Sequence, residues 1–236
     1  MPEAATSSGA VFVAGATGYV GRAAVAALGA RAVAHVRPDS PALDAWRARF
    51  AALGAAVDVT PWDEDALTAT LARVRPAAVF ALLGTTRKRG AASGDTYESV
   101  DYGLTALLFR AAVRVAAAEA PRFVYLSALG ADAGSRNPYL AARGRFEAEL
   151  RAGPLPWTVV RPSFITGPDR GESRPAERVG AAVVDALAAP VASLGGRRTA
   201  DRYRSITGAA LASELVRLAG DPGAAGRVVQ GDGLRR

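Results

Sequence analysis

The sequence contains no cysteine and one histidine, His35, among its 236 residues. Without cysteine it can form no disulfide, no thiolate nucleophile and no Cys-ligated zinc or iron–sulfur cluster, and a single imidazole cannot build a histidine-rich metal site. We therefore expect no bound metal. The pattern Gly-x-Ser-x-Gly is also absent, which makes a hydrolase with a Ser-His-Asp triad a poor interpretation.

Lysine is almost absent as well. The chain has 29 basic and 22 acidic residues and a net charge of +7, yet Lys88 is its only lysine. The arginines are scattered, without a basic tail or an aromatic-interleaved stripe, which favours a solvated surface over a nucleic-acid site. The uncharged segment 4–21 is rich in Gly, Ser and Thr, and its apolar run is too short for a membrane span or a secretory signal. We expect no nucleic-acid partner, no membrane association and a cytoplasmic location.

Half of the residues are apolar, which is enough for a large core, and they follow an alternating pattern. Short runs rich in aliphatic and β-branched residues predict strands at 11–14, 32–36, 57–59, 78–83, 123–126 and 158–160. Longer helix-forming stretches between them predict helices at 19–29, 41–53, 63–74, 97–119 and 138–152. This alternation is typical of an α/β fold with a Rossmann-type doubly wound parallel sheet.

The composition of the sequence changes after about Thr166. Turn formers and charges fill 167–175, and an apolar helix is predicted near 176–189, followed by a helix at 207–219 and a last strand at 227–230. We expect one domain over 1–236. Its dinucleotide-binding core covers about 8–165, and a small C-terminal substrate cap with the final helix and strand covers about 166–236.

The strongest local motif is Gly15-Ala-Thr-Gly18-Tyr-Val-Gly21, which follows the first predicted strand and opens the first helix. A turn without side chains lets a pyrophosphate approach backbone N–H groups at a helix N-terminus, where the helix dipole favours negative charge. In this context the motif predicts a dinucleotide cofactor.

The choice of dinucleotide is made at the end of the second strand, in His35-Val36-Arg37-Pro38-Asp39. An acidic residue there binds the adenosine ribose hydroxyls, whereas an arginine accommodates a 2′-phosphate. Arg37 favours NADP(H) over NAD(H). The acidic Asp39 nearby speaks against this preference, and Arg37 is alternatively an ordinary surface residue without a role in binding. Asp58, at the end of the third strand, is either an acceptor for the adenine amino group or a solvated loop carboxylate.

Polar residues near the ends of the fourth and fifth strands suggest proton-transfer chemistry. Gly84 lets the backbone approach a ligand, Ser127 ends the fifth strand, and Tyr139 and Arg143 lie one helical turn apart on one face. Together, Ser127 would orient a carbonyl or hydroxyl, Tyr139 would exchange the proton, and Arg143 would assist the tyrosine and hold the ribose. Separately, they are a strand-end serine, an amphipathic tyrosine and a helix-surface arginine.

These residues resemble the atypical short-chain dehydrogenase/reductases with the extended-type glycine motif, and most closely the Tat-interacting-protein type of NADPH-binding oxidoreductase. The resemblance is carried by segments 15–21, 83–87, 126–127, 130–132, 139–143, 161–162 and 169–175. It departs from the family at Arg143, where the family has lysine, and at Asp101, where many extended members have asparagine.

The resemblance implies two sets of site residues. Catalysis would fall to Ser127, Tyr139 and Arg143. The cofactor would contact Gly15, Thr17, Gly18, Val20, Gly21, Arg37, Asp58, Leu83, Gly84, Thr85, Tyr139, Pro162, Ser163 and Phe164.

The sequence therefore predicts an NADP(H)-binding oxidoreductase that transfers hydride to or from a small carbonyl or alcohol substrate, as a monomer or a homodimer. A non-catalytic NADPH-binding sensor or regulatory protein is the alternative, and an isomerase or epimerase that retains its cofactor is a weaker one. Basic residues in loops after two strands suggest an anionic substrate, although a solvated charged rim explains them equally well; these residues are Arg87, Lys88, Arg89, Arg170 and Arg174.

Overall fold

The computed structural model describes residues 9–85, 94–116, 120–167 and 205–234. Several predictions from the sequence lie outside these ranges: the helix near 176–189, most of the expected substrate cap, and the five basic residues that suggest an anionic substrate. The fold and the site below are built from the described ranges.

A seven-stranded, wholly parallel sheet forms the centre of the protein, in the order β3-β2-β1-β4-β5-β6-β9. Its strands are β1 (Val11–Ala14), β2 (Ala32–His35), β3 (Ala56–Asp58), β4 (Ala78–Ala81), β5 (Arg122–Leu126), β6 (Trp157–Arg161) and β9 (Arg227–Gln230). Two short strands, β7 (Ile165–Thr166) and β8 (Ile206–Thr207), pair in parallel as a second sheet.

Six α-helices lie in the described ranges: α1 (Tyr19–Leu28), α2 (Leu43–Ala51), α3 (Glu64–Val74), α4 (Thr105–Val115), α5 (Pro138–Ala152) and α6 (Gly208–Gly220). A π-helical segment, Tyr97–Leu104, runs directly into α4, so the single helix expected over 97–119 has two parts. Side chains cap three of the helices: Asp63 for α3, Asn137 for α5 and Thr207 for α6 each accept a hydrogen bond from a first-turn N–H.

The strands are buried on both faces, which is why they appear in the sequence as continuous apolar runs. Successive residues point to opposite sides: Val11 and Val13 pack with α1, α2 and α6, whereas Phe12 and Ala14 pack with α3, α4 and α5. Helices therefore cover both faces of the sheet. The expected Rossmann-type doubly wound fold is confirmed.

The strand order reverses between β1 and β4. The chain runs from β1 outward through β2 to β3, and then returns to place β4 on the other side of β1. In open parallel sheets, ligands bind outside the carboxyl ends of the strands at such a switch point. Among the helices in these ranges, none combines the length and apolar character needed to cross a membrane.

Candidate functional site

The turn between β1 and α1 is shaped by glycines that tolerate no side chain. Gly15 has φ +82°, and a Cβ there would lie 2.6 Å from the carbonyl oxygen of Leu82. A Cβ on Gly21 would lie 2.0 Å from the carbonyl oxygen of Gly15. The N–H of Gly18 donates to that same carbonyl at 2.9 Å and closes the turn at the first residues of α1. The motif thus builds a bare backbone cradle at a helix N-terminus, which fits a pyrophosphate.

A cleft opens beside this turn, at the switch point between β1 and β4. Residues from the glycine turn, the end of β2, the loops after β3 and β4, and the π-helical segment line it: Gly15, Thr17, Gly18, His35, Arg37, Trp62, Leu82, Leu83, Gly84, Thr85, Asp95, Val100 and Leu104. Seven of the cofactor residues expected from the sequence lie in this one cleft: Gly15, Thr17, Gly18, Arg37, Leu83, Gly84 and Thr85.

An aromatic wall stands on the β2 side of the cleft. The His35 and Trp62 rings meet edge to face, with centroids 4.7 Å apart, and His35 Nε2 is 2.8 Å from the carbonyl oxygen of Thr60. Burial lowers the pKa of His35, although the Thr60 carbonyl and the Asp58 carboxylate act in the opposite direction. The imidazole is therefore neutral at neutral pH. Sequence reasoning missed Trp62, for which the signal is an aromatic residue in the loop directly after β3.

Arg37 lies at the rim of the cleft, as the sequence predicts, and is available to a ligand. Its side chain is 46% exposed, and its Nε is 3.7 Å from Asp39 Oδ1 in a solvated ion pair. Exposed pairs of this kind contribute little to stability. A phosphate could therefore recruit the guanidinium at small cost.

The carboxylate of Asp58 is engaged in hydrogen bonds within its own loop. Its Oδ2 accepts the Thr60 N–H at 3.1 Å, its Oδ1 accepts the Thr60 hydroxyl at 2.9 Å, and Arg73 Nη2 lies 3.7 Å from Oδ1. Asp58 is not among the residues that line the cleft. Its backbone carbonyl accepts the Val36 N–H at 2.9 Å, so Asp58 lies beside the end of β2 while its carboxylate is bound within its own loop.

The remaining expected cofactor residues have other surroundings. Val20 is buried in the core on α1, and Gly21 supports the turn from behind. The Pro162 carbonyl accepts the Leu129 N–H at 3.0 Å, and the Phe164 carbonyl accepts the Ile206 N–H at 2.9 Å. The segment Pro162–Phe164, which includes Ser163, therefore connects the ends of β5, β6 and β8, and these three residues do not belong to the cleft lining.

Arg143 is a buried group and not a helix-surface arginine. Its guanidinium donates to the carbonyl oxygens of Leu126 and, at 2.9 Å, Leu83, and its Nη2 donates to Asp101 Oδ1 at 2.7 Å. It thus ties the residues that follow β4 and end β5 to the π-helical segment. Its Nη1 and Nη2 are therefore engaged within the protein, and its expected role in holding a ribose stays a prediction.

Tyr139 lies against this guanidinium. The Arg143 Cζ is 5.0 Å from the centre of the Tyr139 ring, and the Tyr97 ring packs edge-on at 5.4 Å on the half-buried tyrosine. A Cβ on Gly84 would lie 2.8 Å from Arg143 Nη2, so the guanidinium lies directly beneath a residue that lines the cleft. A continuous path of contacts therefore runs from the first turn of α5 to the cleft, through Tyr139, Arg143 and Gly84.

The charged side chains beneath the cleft, Asp101 and Arg143, affect each other's pKa. Burial raises the pKa of Asp101, while Arg143 and the Thr85 N–H, which donates to Asp101 Oδ2 at 3.0 Å, act in the opposite direction. Burial lowers the pKa of Arg143, but Tyr139, Tyr125 and Asp101 together hold it above its ordinary value. The guanidinium is thus a fixed positive charge under the Tyr139 ring.

Ser127 belongs to a hydrogen-bond network separate from that of Arg143 and Asp101. Its hydroxyl is 2.6 Å from Glu147 Oε1, and the fully buried Glu147 also binds Arg161 and Arg151. Sequence reasoning missed Glu147. The available signal was its position on α5 one helical turn beyond Arg143.

A family model described as NAD(P)H-binding matches residues 15–190. The chain belongs to this NAD(P)H-binding family. The match supports a nicotinamide cofactor, as expected from the glycine motif. It does not choose between NAD(H) and NADP(H).

A solved structure with a similar fold is UDP-glucose 4-epimerase from Brucella ovis in complex with NAD. It is 18% identical and has a TM-score of 0.64, over 95% of this chain and 78% of that chain. At this identity the likeness concerns the fold alone. The NAD(P)H-binding family assignment therefore depends on the family match and not on this neighbour.

Two curated relatives match a shorter part of the chain. Protein FMP52-1, mitochondrial, from Scheffersomyces stipitis is 36% identical over 91 residues, which is 38% of each chain. Protein fmp52, mitochondrial, from Aspergillus niger is 38% identical over 106 residues, which is 44% of this chain and 43% of that protein. Each match thus spans about two fifths of the relative's length. The expectation of a cytoplasmic location is wrong on this comparison, because both relatives are named as mitochondrial proteins.

Proposed function

We propose that this protein is an NADP(H)-dependent oxidoreductase that transfers hydride to or from a small carbonyl or alcohol substrate. The observation that carries the proposal is the contact path from the cleft through Gly84 and Arg143 to Tyr139. It joins a dinucleotide cradle to a half-buried phenol with a fixed positive charge beneath it.

The residues of the cleft fit the two ends of a dinucleotide. The bare backbone at Gly15 and Gly18 suits the pyrophosphate, and Arg37 suits a 2′-phosphate. Gly84 lines the cleft directly above the Arg143 guanidinium, which occupies the space that a side chain there would need. The bound cofactor would supply or receive the hydride. The protein would bind and orient it and exchange the accompanying proton.

Tyr139 is the proton-exchanging group in this proposal. The neighbouring Tyr125 is unsuitable, because its side chain is fully buried and burial raises the pKa of its hydroxyl to about 12. Tyr139 is half-buried, and the guanidinium of Arg143 lies under its ring, with its Cζ 5.0 Å from the ring centre. The contact with the substrate oxygen that the resemblance implies for Ser127 stays a prediction, because the side chain is buried and its hydroxyl donates to Glu147.

Replacing Tyr139 by phenylalanine tests this role. Tyr139→Phe should remove turnover of NADPH across a panel of small carbonyl compounds and leave NADPH affinity largely intact, because the loss falls on the transition state. Tyr97→Phe is the matched control, since its ring packs on Tyr139 without an assigned role in proton exchange. Full activity in Tyr139→Phe would remove this tyrosine from the mechanism.

The second candidate is an NADPH-binding sensor or regulatory protein without turnover. It is favoured by Ser127 and Arg143, because the serine hydroxyl donates to Glu147 and Arg143 Nη2 donates to Asp101. Tight NADPH binding by the wild type, with no turnover of any compound in the panel, would move this candidate ahead. Four further expectations stay proposals: the likeness to the Tat-interacting-protein type, the single domain, the small-molecule substrate, and the monomeric or dimeric state.

A further inference from the structure

The indole of Trp62 has a fixed place in the wall of the cleft. Trp62 stands directly before Asp63, whose carboxylate accepts the Ala66 N–H at 2.9 Å and caps α3. An apolar residue at this position typically packs against the fourth residue of the helix, here Leu67, and both residues belong to the same hydrophobic cluster. The indole also meets the His35 ring edge to face, with centroids 4.7 Å apart and 72° between the planes. The helix cap and the imidazole together therefore hold the ring.

The imidazole that supports Trp62 is itself held on two sides. Its Nε2 lies 2.8 Å from the carbonyl oxygen of Thr60, and because a carbonyl only accepts hydrogen bonds, this nitrogen carries the proton. The Phe12 ring lies against the same imidazole, with centroids 5.7 Å apart. Phe12, His35 and Trp62 therefore form a continuous aromatic group on the β2 side of the cleft.

Trp62 offers the cleft more than the cap of α3 requires. The residue is half-buried and lines the cleft together with Gly15, Gly18 and Arg37. A leucine would serve equally well as the apolar residue before the cap, whereas an indole adds a broad, flat ring. One edge-to-face contact covers at most one face of such a ring. A flat aromatic side chain in a ligand cleft suits a planar ring of the ligand, because bases stack well on aromatic faces.

We propose that Trp62 is the stacking surface for the adenine base of the bound dinucleotide. The inference rests on the proposed function, since it assigns one end of that cofactor to the β2 side of the cleft. In Rossmann-type folds the adenosine ribose lies at the end of the second strand, and His35, the ring partner of Trp62, is the last residue of β2. The expected acceptor for the adenine amino group, the Asp58 carboxylate, is already bound by the N–H and hydroxyl of Thr60. Trp62 recognises the flat face of the base and not its edge.

The role of Trp62 is measured with ADP, which carries a base, and with inorganic pyrophosphate, which does not. Trp62→Leu keeps an apolar residue before the cap of α3 and removes the aromatic ring. In isothermal titration it should weaken ADP binding about tenfold or more and leave pyrophosphate binding unchanged. Trp62→Phe keeps a smaller aromatic face and should lose less. An unchanged affinity for ADP in Trp62→Leu, or an equal loss for ADP and pyrophosphate, would overturn the assignment.

IDP separates stacking from recognition of the base edge. Its base differs from adenine in carrying an oxygen in place of the amino group, so the flat ring is kept and the edge is changed. Trp62→Leu should therefore weaken IDP and ADP binding by the same factor. A loss confined to ADP would show that Trp62 acts on the base edge and would contradict stacking.

The contact between indole and base has a spectroscopic signature that does not depend on turnover. The chain has three tryptophans, so Trp46→Phe combined with Trp157→Phe leaves Trp62 as the only indole. Saturation of this double variant with ADP should quench its tryptophan fluorescence, whereas saturation with pyrophosphate should leave it unchanged. Equal emission with both ligands bound would count against a base stacked on Trp62.

Two controls separate this inference from the proposed function. Trp46→Leu removes an indole that stacks on Phe50 and does not line the cleft, and it should leave ADP binding unchanged. Titration of the wild type with NADPH reports on the proposed cofactor. Absence of NADPH binding would contradict the proposed function. NADPH binding by the wild type, together with no ADP binding or with equal ADP affinity in Trp62→Leu, would contradict only the role of Trp62.

Discussion

Asp101 and Arg143 form an ion pair with 2.7 Å between Oδ1 and Nη2, although neither side chain is more than 6% exposed. Asp101 comes from the π-helical segment and Arg143 from α5. The same guanidinium holds the carbonyl oxygens of Leu83 and Leu126. Removing one member of such a pair leaves a charge buried without its partner, which costs far more than the pair contributes.

We therefore expect Arg143→Ala to lower the free energy of unfolding by about 3–5 kcal/mol. Arg143→Lys should lose less, because an ammonium keeps the charge but cannot span the same carbonyl and carboxylate acceptors in one plane. The matched control is Arg145→Ala, whose exposed pair with Glu98 should be worth less than about 1 kcal/mol. Chemical denaturation of the three variants measures these differences, and similar losses for Arg143→Ala and Arg145→Ala would contradict the expectation.

The 2′-phosphate preference can be tested at Arg37. Arg37→Ala should weaken NADPH binding about tenfold or more and leave NADH binding nearly unchanged, because a charge-assisted contact with phosphate contributes about 1.5–3 kcal/mol. Arg47→Ala is the matched control and should leave NADPH binding unchanged. It removes another exposed arginine, paired with Asp44 at 3.2 Å, from a helix that does not line the cleft. Isothermal titration with both cofactors decides the matter. Equal affinity of the wild type for NADH and NADPH would count against NADP(H).

Acid should destabilise the protein through His35. Burial lowers the pKa of His35 in the folded state below its value of 6.5 in the unfolded chain, so below about pH 6.5 the unfolded state binds a proton that the folded state does not. Stability is then lost as the pH falls, by at most about 1.4 kcal/mol per pH unit for one proton. The raised pKa of Asp101 acts with the opposite sign, but it is common to wild type and variant.

The comparison is with His35→Asn, which lacks the only imidazole of the chain. Free energies of unfolding measured from neutral to mildly acidic pH should fall in the wild type relative to this variant. Parallel pH profiles for the two proteins would show that His35 is not the group responsible.

Much of the fold could be predicted because its strands are buried on both faces. Runs such as Val11–Ala14 and Ala78–Ala81 have no polar interruption, so their period and length are visible in the sequence alone. The glycine turn was equally visible, since backbone proximity at Gly15 and Gly21 excludes any side chain. Cofactor residues that depend on this local geometry were therefore brought together as expected.

The polar interior was harder to predict because its partners are far apart in sequence. Ser127 and Glu147 meet between the end of a strand and a helix, and Arg143 binds Asp101 in the π-helical stretch that precedes α4. Nothing in the pattern of apolar residues marks where a helix widens in this way. Trp62 was missed for a similar reason, since a loop residue carries no periodic signal.

The packing of α6 and β9 has a consequence for how the protein is made on the ribosome. Residues 208–220 cover α1, and residues 227–230 pair with β6, so these late segments complete both a face and an edge of the sheet. Until they fold, they do not yet cover the apolar side of α1 or pair with the outer edge of β6, and exposed apolar surface and unpaired strand edges promote wrong association of chains. Intermediates in which residues 208–230 are still unfolded therefore present surfaces for wrong association that the folded protein hides.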